Sequence, residues 1–356
     1  MTKSTPTIAT PQPEGPRATA TTQTDIARLA GVSQKTVHLA LHDRPGVNPA
    51  TADRIRKIAA EHGYRLNAAA SAMRSQSTRY IGLIVRPALQ GPLTHFTAYE
   101  TMLGADAALA DAGYLTCLVR LTDILPDARS RVFNEVLLDG VIVIDQLPES
   151  FQEPVRNIAN HCVWTESDIW EETHCIRRDE HWAGEFVVKH LARRGFCRIL
   201  WIGWIPATDL GDVQEHYSYQ LRLQGVRETA KHHGMEVIEP SAREMRRKNM
   251  LDRFRQHLTT PDLVVITYNS PTATALMHQL ARMGLVAGQN YSLVSCDDSR
   301  RDDVYVPELT RASFNRHALG MAAGRMMLAS LKDELEDCRS LLVRGSWIEG
   351  KTLVKL

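Results

Sequence analysis

The sequence predicts a multi-domain protein in which a small all-α domain with a helix-turn-helix precedes a larger α/β domain built on parallel sheet. Three observations lead to this class. Residues 22–42 carry helix-boundary signals on both sides of a central glycine, and from residue 80 onward apolar runs alternate with longer amphipathic segments. The chain has 356 residues, more than one domain usually has, and 44% of them are hydrophobic, which is enough for a substantial core.

Two short helices joined by a tight turn are predicted in residues 22–42. Thr22 is placed to cap the first helix, and Asp25 lies favourably in its first turn. Gly31 suits the turn because it has no Cβ, and Ser33 is placed to cap the second helix. Helical spacing predicts one apolar face, made of Ile26, Leu29, Ala30, Val32, Val37 and Ala40.

A third helix is predicted from about Pro49 to His62. Asn48 and Pro49 form an N-cap followed by proline at the first helical position, and Gly63 is placed to end the helix. Two helices joined at a glycine also occur in ordinary helical bundles, so the pair alone does not decide the function. Together with the third helix they form the layout of a compact DNA-binding domain, in which the start of the second helix enters the major groove.

The charges of the two predicted domains differ in sign. Residues 1–80 contain 11 Lys and Arg against 5 Asp and Glu, whereas the remaining residues contain 31 against 36. A basic domain attached to a mildly acidic one is typical of a protein that contacts phosphates at one end. Because basic tails are common, this asymmetry supports nucleic-acid binding only weakly.

Several classes of protein are excluded by what the sequence lacks. The six cysteines form no C-x-x-C pair, which argues against a disulfide or metal framework and favours a cytoplasmic location. No apolar run approaches the roughly 18 residues of a transmembrane helix. Residues 1–21 lack the apolar stretch of a signal peptide and are expected to form a flexible tail. The chain has no dinucleotide-binding glycine motif, Walker loop or nucleophile elbow, so no enzyme, cofactor or metal site is expected.

From residue 80 onward, predicted strands and helices alternate. The strands are short apolar runs at Tyr80–Val85, Tyr114–Val119, Gly140–Ile144, Ile199–Ile202, Leu263–Thr267 and Ser292–Ser295. The helices lie between them, at Ala98–Ala112, Asp127–Leu138, Ala183–Arg194, Tyr219–His233 and Thr272–Met283. This alternation predicts a parallel sheet covered on both faces, and such a sheet binds ligands beyond the carboxyl ends of its strands.

Several segments, taken in order, resemble LacI/GalR-type transcriptional regulators. The runs DIARLAGVSQKTV and RPGVNPATADRIRKIAAEHGYRLNAAASAMRS are similar to the DNA-binding headpiece and hinge of that family. The runs DGVIVID, LRLQGV, LVSCDD and PELTRASFN are similar to its effector core, which is shared with periplasmic sugar-binding proteins. The resemblance covers residues 22–356 and implies a core of two subdomains with a ligand between them.

The resemblance also implies where the domains begin and end. The expected units are a tail (1–21), a helix-turn-helix domain (22–66), a hinge (67–79) and a core (80–356). Within the core, subdomain 1 is expected at about 80–193 and 314–342, and subdomain 2 at about 194–313 and 343–356. The chain would therefore cross between the subdomains near residues 193, 313 and 342.

The residues expected to contact DNA lie in the headpiece and the hinge. They are Thr24, Ser33, Gln34, Lys35, Thr36, His38, Leu39, His42, Asn67, Ala70 and Met73. Polar side chains such as Gln34, Lys35 and Thr36 can hydrogen-bond base edges or phosphates. In the family, an apolar hinge residue enters the minor groove and kinks the duplex, and Met73 takes that place here.

The chain departs from the family pattern within these same segments. His38 and Leu39 replace the usual Ser-Arg, and His42 replaces a common Asn. Since leucine makes only apolar contacts with bases, the operator is predicted to differ from the family consensus. Leu66 replaces the usual proline before the hinge and removes a constraint on the path of the chain.

Five effector-binding residues are implied by the resemblance: Arg222, Asp297, Asn269, Asp179 and Trp204. The guanidinium of Arg222 suits ligand hydroxyls or a carboxylate. Asp297 and Asn269 follow predicted strands at the edge where ligands bind, and Trp204 offers a stacking face for a sugar. The alternatives are structural: an exposed helical arginine for Arg222 and a loop-start carboxylate for Asp297.

The sequence therefore predicts a sequence-specific DNA-binding regulator, with repression as the expected outcome. A small polar effector, most often a sugar in this family, would control its affinity for a near-palindromic double-stranded DNA operator. A homodimer is expected, because the family pairs through its core and no heptad repeat follows the core here. The main alternative is a solute-binding protein, which would share the core but would need a secretion signal and no basic headpiece.

Overall fold

The computed structural model describes residues 21–65, 77–85, 95–120, 132, 135, 137–204, 216–245, 250–258, 260–298 and 308–354. The chain divides into two compact units, Met1–Ser77 and Thr78–Leu356. The first contains an all-α headpiece and the second contains two parallel-sheet subdomains, which confirms the predicted fold class. None of the described helices combines the length and apolar character needed to span a membrane.

The headpiece consists of three helices, α1 (Gln23–Ala30), α2 (Gln34–Leu41) and α3 (Pro49–Glu61). The predicted capping residues all act as caps, because their side chains accept backbone N–H groups that the helix leaves unpaired. Thr22 and Asp25 form a reciprocal capping box at α1.

The caps of α2 and α3 follow the same principle. Ser33 Oγ accepts the N–H of Thr36 at 3.1 Å, and Asn48 Oδ1 accepts the N–H of Ala50 at 2.9 Å. Gly31 ends α1 at a φ of 64°, a conformation that favours glycine, so the turn between α1 and α2 has the predicted origin.

The headpiece core lies where the three helices meet. Ile26, Ala30, Val37 and Ala40 are each at most 5% exposed and pack in one cluster with residues of α3. The inclusion of Leu29 in this apolar face was wrong, since its side chain is 46% exposed. The buried face of α1 runs through Ile26, Ala27 and Ala30, and Leu29 lies on its flank.

The core unit contains two six-stranded sheets. The first sheet comprises β1 (Tyr80–Val85), β2 (Leu115–Val119), β3 (Gly140–Ile144), β4 (Cys162–Thr165), β5 (Cys175–Arg178) and β11 (Leu341–Val343). The second comprises β6 (Arg198–Ile202), β7 (Glu236–Ile238), β8 (Leu263–Thr267), β9 (Ser292–Ser295), β10 (Thr310–Ser313) and β12 (Ser346–Ile348). The strand orders are β11-β5-β4-β3-β1-β2 and β12-β10-β9-β8-β6-β7. Neighbouring strands run parallel, except for the antiparallel pair β10 and β12.

Helices cover the two sheets. They are α4 (His95–Asp111), α5 (Glu149–Ile158), α6 (Glu180–Ala192), α7 (Tyr217–His232), α8 (Ala242–Met245), α9 (Met250–Leu258), α10 (Ser270–Ala281) and α11 (Arg316–Ser330), with a short 3₁₀ helix at Leu335–Cys338. β1, β3, β8 and β9 have the predicted bounds, because continuous apolar runs are typical of buried parallel strands. The helix predicted at 127–138 falls largely outside the described residues.

The chain passes between the sheets three times. β5 belongs to the first sheet, whereas α6 packs Val187 and Leu191 into the core of the second. The first passage is therefore at Asp179, ahead of the expected position 193, because α6 already belongs to the second subdomain. The other two passages follow β10 and β11, near residues 314–315 and 344–345.

Two glycines bring α6 and α7 into backbone contact. A Cβ at Gly184 would lie 2.1 Å from the carbonyl oxygen of Arg222, and one at Gly225 would lie 2.2 Å from that of His181. Only residues without a Cβ allow this approach. As a result, Glu180 in the first turn of α6 reaches Arg222 on α7.

Candidate DNA-binding face and charged core cleft

The first turn of α2 projects into solvent. Gln34 and Lys35 are exposed, and Lys35 forms no ion pair within the part of the chain that the structure describes. Ser33 is exposed too, but its hydroxyl caps α2 and lies 2.9 Å from that of Thr36. The predicted contacts therefore divide into Ser33 and Thr36, which hold the helix, and Gln34 and Lys35, which point outward.

The other predicted DNA-contacting residues differ in exposure. Thr24 on α1 is exposed, whereas His38, Leu39 and His42 are half-buried. The rings of His38 and His42 lie side by side with their centroids 4.4 Å apart. Two of the residues that depart from the family pattern, His38 and His42, thus form one local aromatic pair. Leu66, Asn67, Ala70 and Met73 lie outside the described residues.

Two basic residues of α3 have partners inside the headpiece. Arg56 forms ion pairs with Asp43 and, at 2.7 Å, with Asp53. Arg54 donates to the carbonyl oxygen of Ala30 at 3.0 Å. These side chains hold α3 to its neighbours. Lys35, which is exposed at the start of α2, is therefore better placed than Arg54 or Arg56 to contact a phosphate.

In the core, three arginines surround one carboxylate where the two sheets meet. Asp297 follows β9, and its Oδ2 accepts hydrogen bonds from Arg178 Nη1 at 2.6 Å and Arg222 Nη2 at 2.9 Å. Its Oδ1 accepts from Arg316 Nη2 and, at 2.8 Å, from the N–H of Asp298. Since Arg178 ends β5, Arg222 lies in α7 and Arg316 begins α11, both sheets contribute to the site.

Two glutamates neutralise the arginines from other sides. Glu166 accepts hydrogen bonds from Arg178 Nε and, at 3.0 Å, from the Arg178 N–H. Glu180 Oε2 accepts from Arg222 Nε at 2.5 Å. Glu180 Oε1 lies 3.0 Å from Arg178 Nη2, a charge contact without hydrogen-bond geometry. Arg178 therefore faces three carboxylates.

We call the connected ionic side chains the charge cluster; they are Glu166, Arg178, Glu180, Arg222, Asp297, Asp298, Arg311 and Arg316. Each of these side chains is at most 11% exposed. Buried charges are costly unless they are paired and hydrogen-bonded. In the charge cluster, four guanidinium groups are paired with four carboxylates, so the cluster as a whole has a formal charge of zero.

The cluster keeps its members ionised. Burial alone would raise the pKa of Asp297, but the positive charges of Arg178, Arg316 and Arg222 outweigh it and hold that pKa well below 3.8. Burial likewise opposes the charged form of Arg178, yet Asp297, Glu166 and Glu180 hold its pKa well above the ordinary value for arginine. Both groups are therefore charged throughout the neutral range.

The structure brings two of the five expected effector residues together. Arg222 is 1% exposed and Asp297 is 6% exposed, and their side chains bind each other directly. Arg222 Nη1 also donates to the carbonyl oxygen of Tyr268 at 2.7 Å. The exposed-arginine alternative is wrong for Arg222, because both of its terminal nitrogens have protein partners.

The other three expected effector residues have other contacts. Asn269 caps α10, with its Oδ1 accepting the N–H of Thr272 at 3.0 Å. Asp179 caps α6 and also accepts from Arg344 Nε at 3.2 Å. Trp204 follows β6, is half-buried and packs against the cluster of apolar side chains beside β8. Asn269 and Asp179 thus have clear capping roles.

Sequence reasoning missed six members of the charge cluster: Glu166, Arg178, Glu180, Asp298, Arg311 and Arg316. Arg178 lies in the four-residue strand CIRR, which has too little apolar character to predict a buried strand. A usable signal was the short run of ionic residues 177–180, because such a run directly before a buried helix needs partners. Arg316, directly after the cap Asn315, carried a similar signal.

Comparison with known proteins gives the family. Residues 22–67 match the family described as bacterial regulatory proteins, lacI family, and residues 188–353 match a periplasmic binding protein-like domain. The chain is 23% identical to the HTH-type transcriptional repressor PurR of Vibrio vulnificus strain CMCP6 over 93% of its own length and 98% of that protein. It is 25% identical to the maltose regulon regulatory protein MalI of Escherichia coli K12, over 92% and 97% of the two chains.

The chain belongs to the LacI family. Solved structures show the same fold: a lac repressor dimer bound to operator and the anti-inducer ONPF has a TM-score of 0.71 at 18% identity, covering 94% of this chain and 99% of that one. A complex of the regulator CelR with cellobiose has a TM-score of 0.60 at 20% identity, covering 93% and 99% of the chains. As a LacI-family member, the protein is a DNA-binding transcriptional regulator.

Proposed function

We propose that this LacI-family protein is a cytoplasmic repressor that binds a near-palindromic operator as a homodimer and responds to a small polar effector in the core cleft. The observation that carries the proposal is the capped helix α2, whose exposed Gln34 and Lys35 follow a Ser33 cap within a three-helix headpiece. A helix start that is fixed by a cap and exposed at its first turn can enter the major groove. Relatives that are named as transcriptional repressors support repression, rather than activation, as the regulatory outcome.

A homodimer is supported by an exposed apolar patch on the first subdomain. Tyr99 and Leu103 on α4 are 56% and 39% exposed, and Leu115 and Leu118 on the edge strand β2 are 59% and 65% exposed. α4 packs against β2, so the four side chains belong to neighbouring elements. Apolar patches of this kind on a soluble domain mark protein–protein contacts. The lac repressor structure that shares the fold is itself a dimer bound to operator.

The location of the charge cluster supports effector control. It lies at the carboxyl ends of strands from both sheets, the edge at which open α/β sheets bind ligands. His216, the cap of α7, lies 3.2 Å from Asp145, the residue after β3, which adds a second contact between the subdomains. A ligand that prefers one arrangement of these contacts would shift the balance between subdomain arrangements.

The proposal is tested by selecting binding sites from random double-stranded DNA with the full-length protein. We expect a two-fold symmetric site that differs from the family consensus at the position facing Leu39. Fluorescence anisotropy on the selected duplex should then show that Gln34→Ala weakens binding, whereas Lys231→Ala, at an exposed position of α7, does not. Failure to enrich any site would overturn the proposal, and a site identical to the family consensus would overturn the prediction for Leu39.

A further inference from the structure

Arg177 lies beside the charge cluster and has no anionic partner among the residues that the structure describes. Its guanidinium carbon is 4.6 Å from the ring centre of Trp170 and 5.0 Å from that of Tyr217. Its Nη1 donates to the carbonyl oxygen of Ser167 at 3.2 Å. Within the described ranges no carboxylate pairs with Arg177, whereas its neighbour Arg178 has three.

The remaining edge of this guanidinium is unsatisfied. Nε of Arg177 is buried and has no hydrogen-bond partner in the described part of the chain, and the same is true of the hydroxyl of Tyr217. A buried polar atom left without a partner costs about 1–3 kcal/mol. Because the two aromatic rings occupy the faces of the guanidinium, its Nε edge is the part left for a further group.

Other buried polar atoms without partners occur near the same ends of both sheets. They are Gln146 Oε1 and Thr165 Oγ1, at the ends of β3 and β4, and Ser270 Oγ and Thr272 Oγ1, in the first turn of α10, the helix that follows β8. The first two belong to the first subdomain and the other two to the second. Hydroxyl groups of a ligand held between the subdomains would supply the missing partners.

We propose that the effector is an anion: a small polyhydroxy molecule whose carboxylate or phosphate binds the Nε edge of Arg177. This inference rests on the proposed function, since it names the chemical class of the effector for the same cleft. The charge cluster is internally neutral, so its arginines are already paired and Arg177 supplies the unpaired positive charge. A guanidinium edge matches carboxylate and phosphate oxygens in a bidentate geometry, which a neutral sugar lacks.

The position of Arg177 also couples the ligand to the subdomain contact. Arg177 belongs to β5 of the first sheet, whereas Tyr217 begins α7 on the second. An acidic group at the Nε edge would bind the same guanidinium that lies over the Tyr217 ring. Ligand binding therefore acts at a contact that joins the two subdomains.

The test is a thermal-shift and calorimetric comparison of matched compounds with the full-length protein. The probes are hexoses, the corresponding uronates, the corresponding 6-phosphates and inorganic phosphate alone. We expect at least one acidic member to bind about tenfold or more tightly than its neutral partner. The uronate and 6-phosphate arms separate a carboxylate from a phosphate ligand. Neutral hexoses that bind as tightly as their acids, or acids that all fail to bind, would overturn the inference.

Variants of Arg177 test whether this side chain binds the acidic group of the probe. Arg177→Gln should weaken binding of the acidic probe about tenfold or more, and Arg177→Lys should weaken it less, because the charge remains while the planar edge is lost. Arg227→Gln is the control, since Arg227 pairs with Glu239 on the surface. Unchanged binding by Arg177→Gln would refute the inference.

Operator binding without ligand separates this inference from the proposed function. Arg177→Gln should bind the selected duplex as the wild type does, which also shows that the variant is folded. If the wild-type protein binds no DNA, the proposed function fails. If it binds DNA and responds only to neutral sugars, the proposed function stands and the anionic class of effector is refuted.

Discussion

Arg178 ends β5 of the first sheet and Asp297 follows β9 of the second, and Arg178 Nη1 lies 2.6 Å from Asp297 Oδ2. The contact is buried and is reinforced by Arg222 and Arg316 on the same carboxylate. An ion pair of this kind gains from mutual attraction in a site from which water is excluded, provided that its hydrogen bonds are satisfied. The two subdomains are therefore joined by the protein's own charges.

Loss of Arg178 should destabilise the core strongly. Arg178→Gln leaves Glu166, Glu180 and Asp297 with fewer cations, and removal of one partner from a buried ion pair costs about 3–5 kcal/mol. Urea unfolding of the full-length protein measures the change in the free energy of unfolding. Arg344→Gln is the control, because the Arg344 side chain is 69% exposed and its surface pair with Asp179 contributes about 0–1 kcal/mol. Equal effects of the two substitutions would contradict the role given to Arg178.

Asp297 should make stability depend on acid pH. Its pKa is lower in the folded protein than the ordinary value of 3.8, so below neutral pH the unfolded chain binds more protons. The stabilisation is complete above the unfolded pKa and is lost as pH falls through the folded pKa. We expect Asp297→Asn to lower the Tm at neutral pH and to make its decline below about pH 4 shallower.

The control for this pH profile is Asp262→Asn. Asp262 also has a lowered pKa, caused first by its hydrogen bond from Arg198, but it lies at the surface. Its replacement should change the acid profile little, since solvent screens exposed pairs. If Asp297→Asn has the same dependence of Tm on pH as the wild type, the charge cluster does not control stability in acid.

A methyl group at Gly184 should separate α6 from α7. The Cβ of Gly184→Ala would lie 2.1 Å from the carbonyl oxygen of Arg222, so the helix backbones must move apart. Overpacking of this kind costs about 1–3 kcal/mol and should also weaken the contact between Glu180 and Arg222. Thermal unfolding measures the effect, with Lys231→Ala on the exposed side of α7 as control. A Tm equal to that of the wild type would mean that α6 and α7 accommodate the added methyl group without a loss of stability.

Lys35→Ala should weaken operator binding in a salt-dependent way. If Lys35 neutralises one phosphate, its loss reduces the slope of log affinity against log salt by about 0.9 per chain. Anisotropy titrations across a range of salt concentrations measure the slope. Gln34→Ala should leave the slope unchanged while lowering affinity at one base position by about 1–3 kcal/mol. If the slope of log affinity against log salt is the same for Lys35→Ala and the wild type, Lys35 does not contact a phosphate.

Leu118→Asp should dissociate the proposed dimer. A carboxylate placed in the apolar patch of α4 and β2 would be buried without a partner in a subunit interface, which disfavours association. Light scattering at micromolar concentration measures the mass. Leu342→Asp, on β11 at the opposite edge of the same sheet, is the matched control. If only the Leu342 variant dissociates, the interface lies on the other edge.

The headpiece was predictable in detail because its signals are local. Each cap acts within three residues of itself, as in the bond from the Thr36 N–H to Ser33 Oγ, and Gly31 needs only its own φ. The apolar strands of the core were predictable for a similar reason, since burial on both faces selects continuous apolar runs. Leu29 shows the limit, because helical spacing alone does not fix which flank of a short helix is covered.

The charge cluster was predictable only in part. Arg222 and Asp297 were found through their place in a family pattern, but the reason for their pairing, Arg178, is 119 positions from Asp297 in the chain. No local spacing encodes a contact of that range. In a strand of only four residues, the consecutive arginines Arg177 and Arg178 resemble an exposed loop, so the burial of Arg178 depends on the tertiary fold.

Helix α2 divides its tasks between different side chains. Val37 and Ala40 anchor it in the headpiece and Ser33 fixes its start, whereas Gln34 and Lys35 take part in neither. Substitutions at these two outward positions are therefore free of the constraints of folding. A duplicated copy of this gene can acquire a new target sequence through a few codon changes while it inherits an intact scaffold.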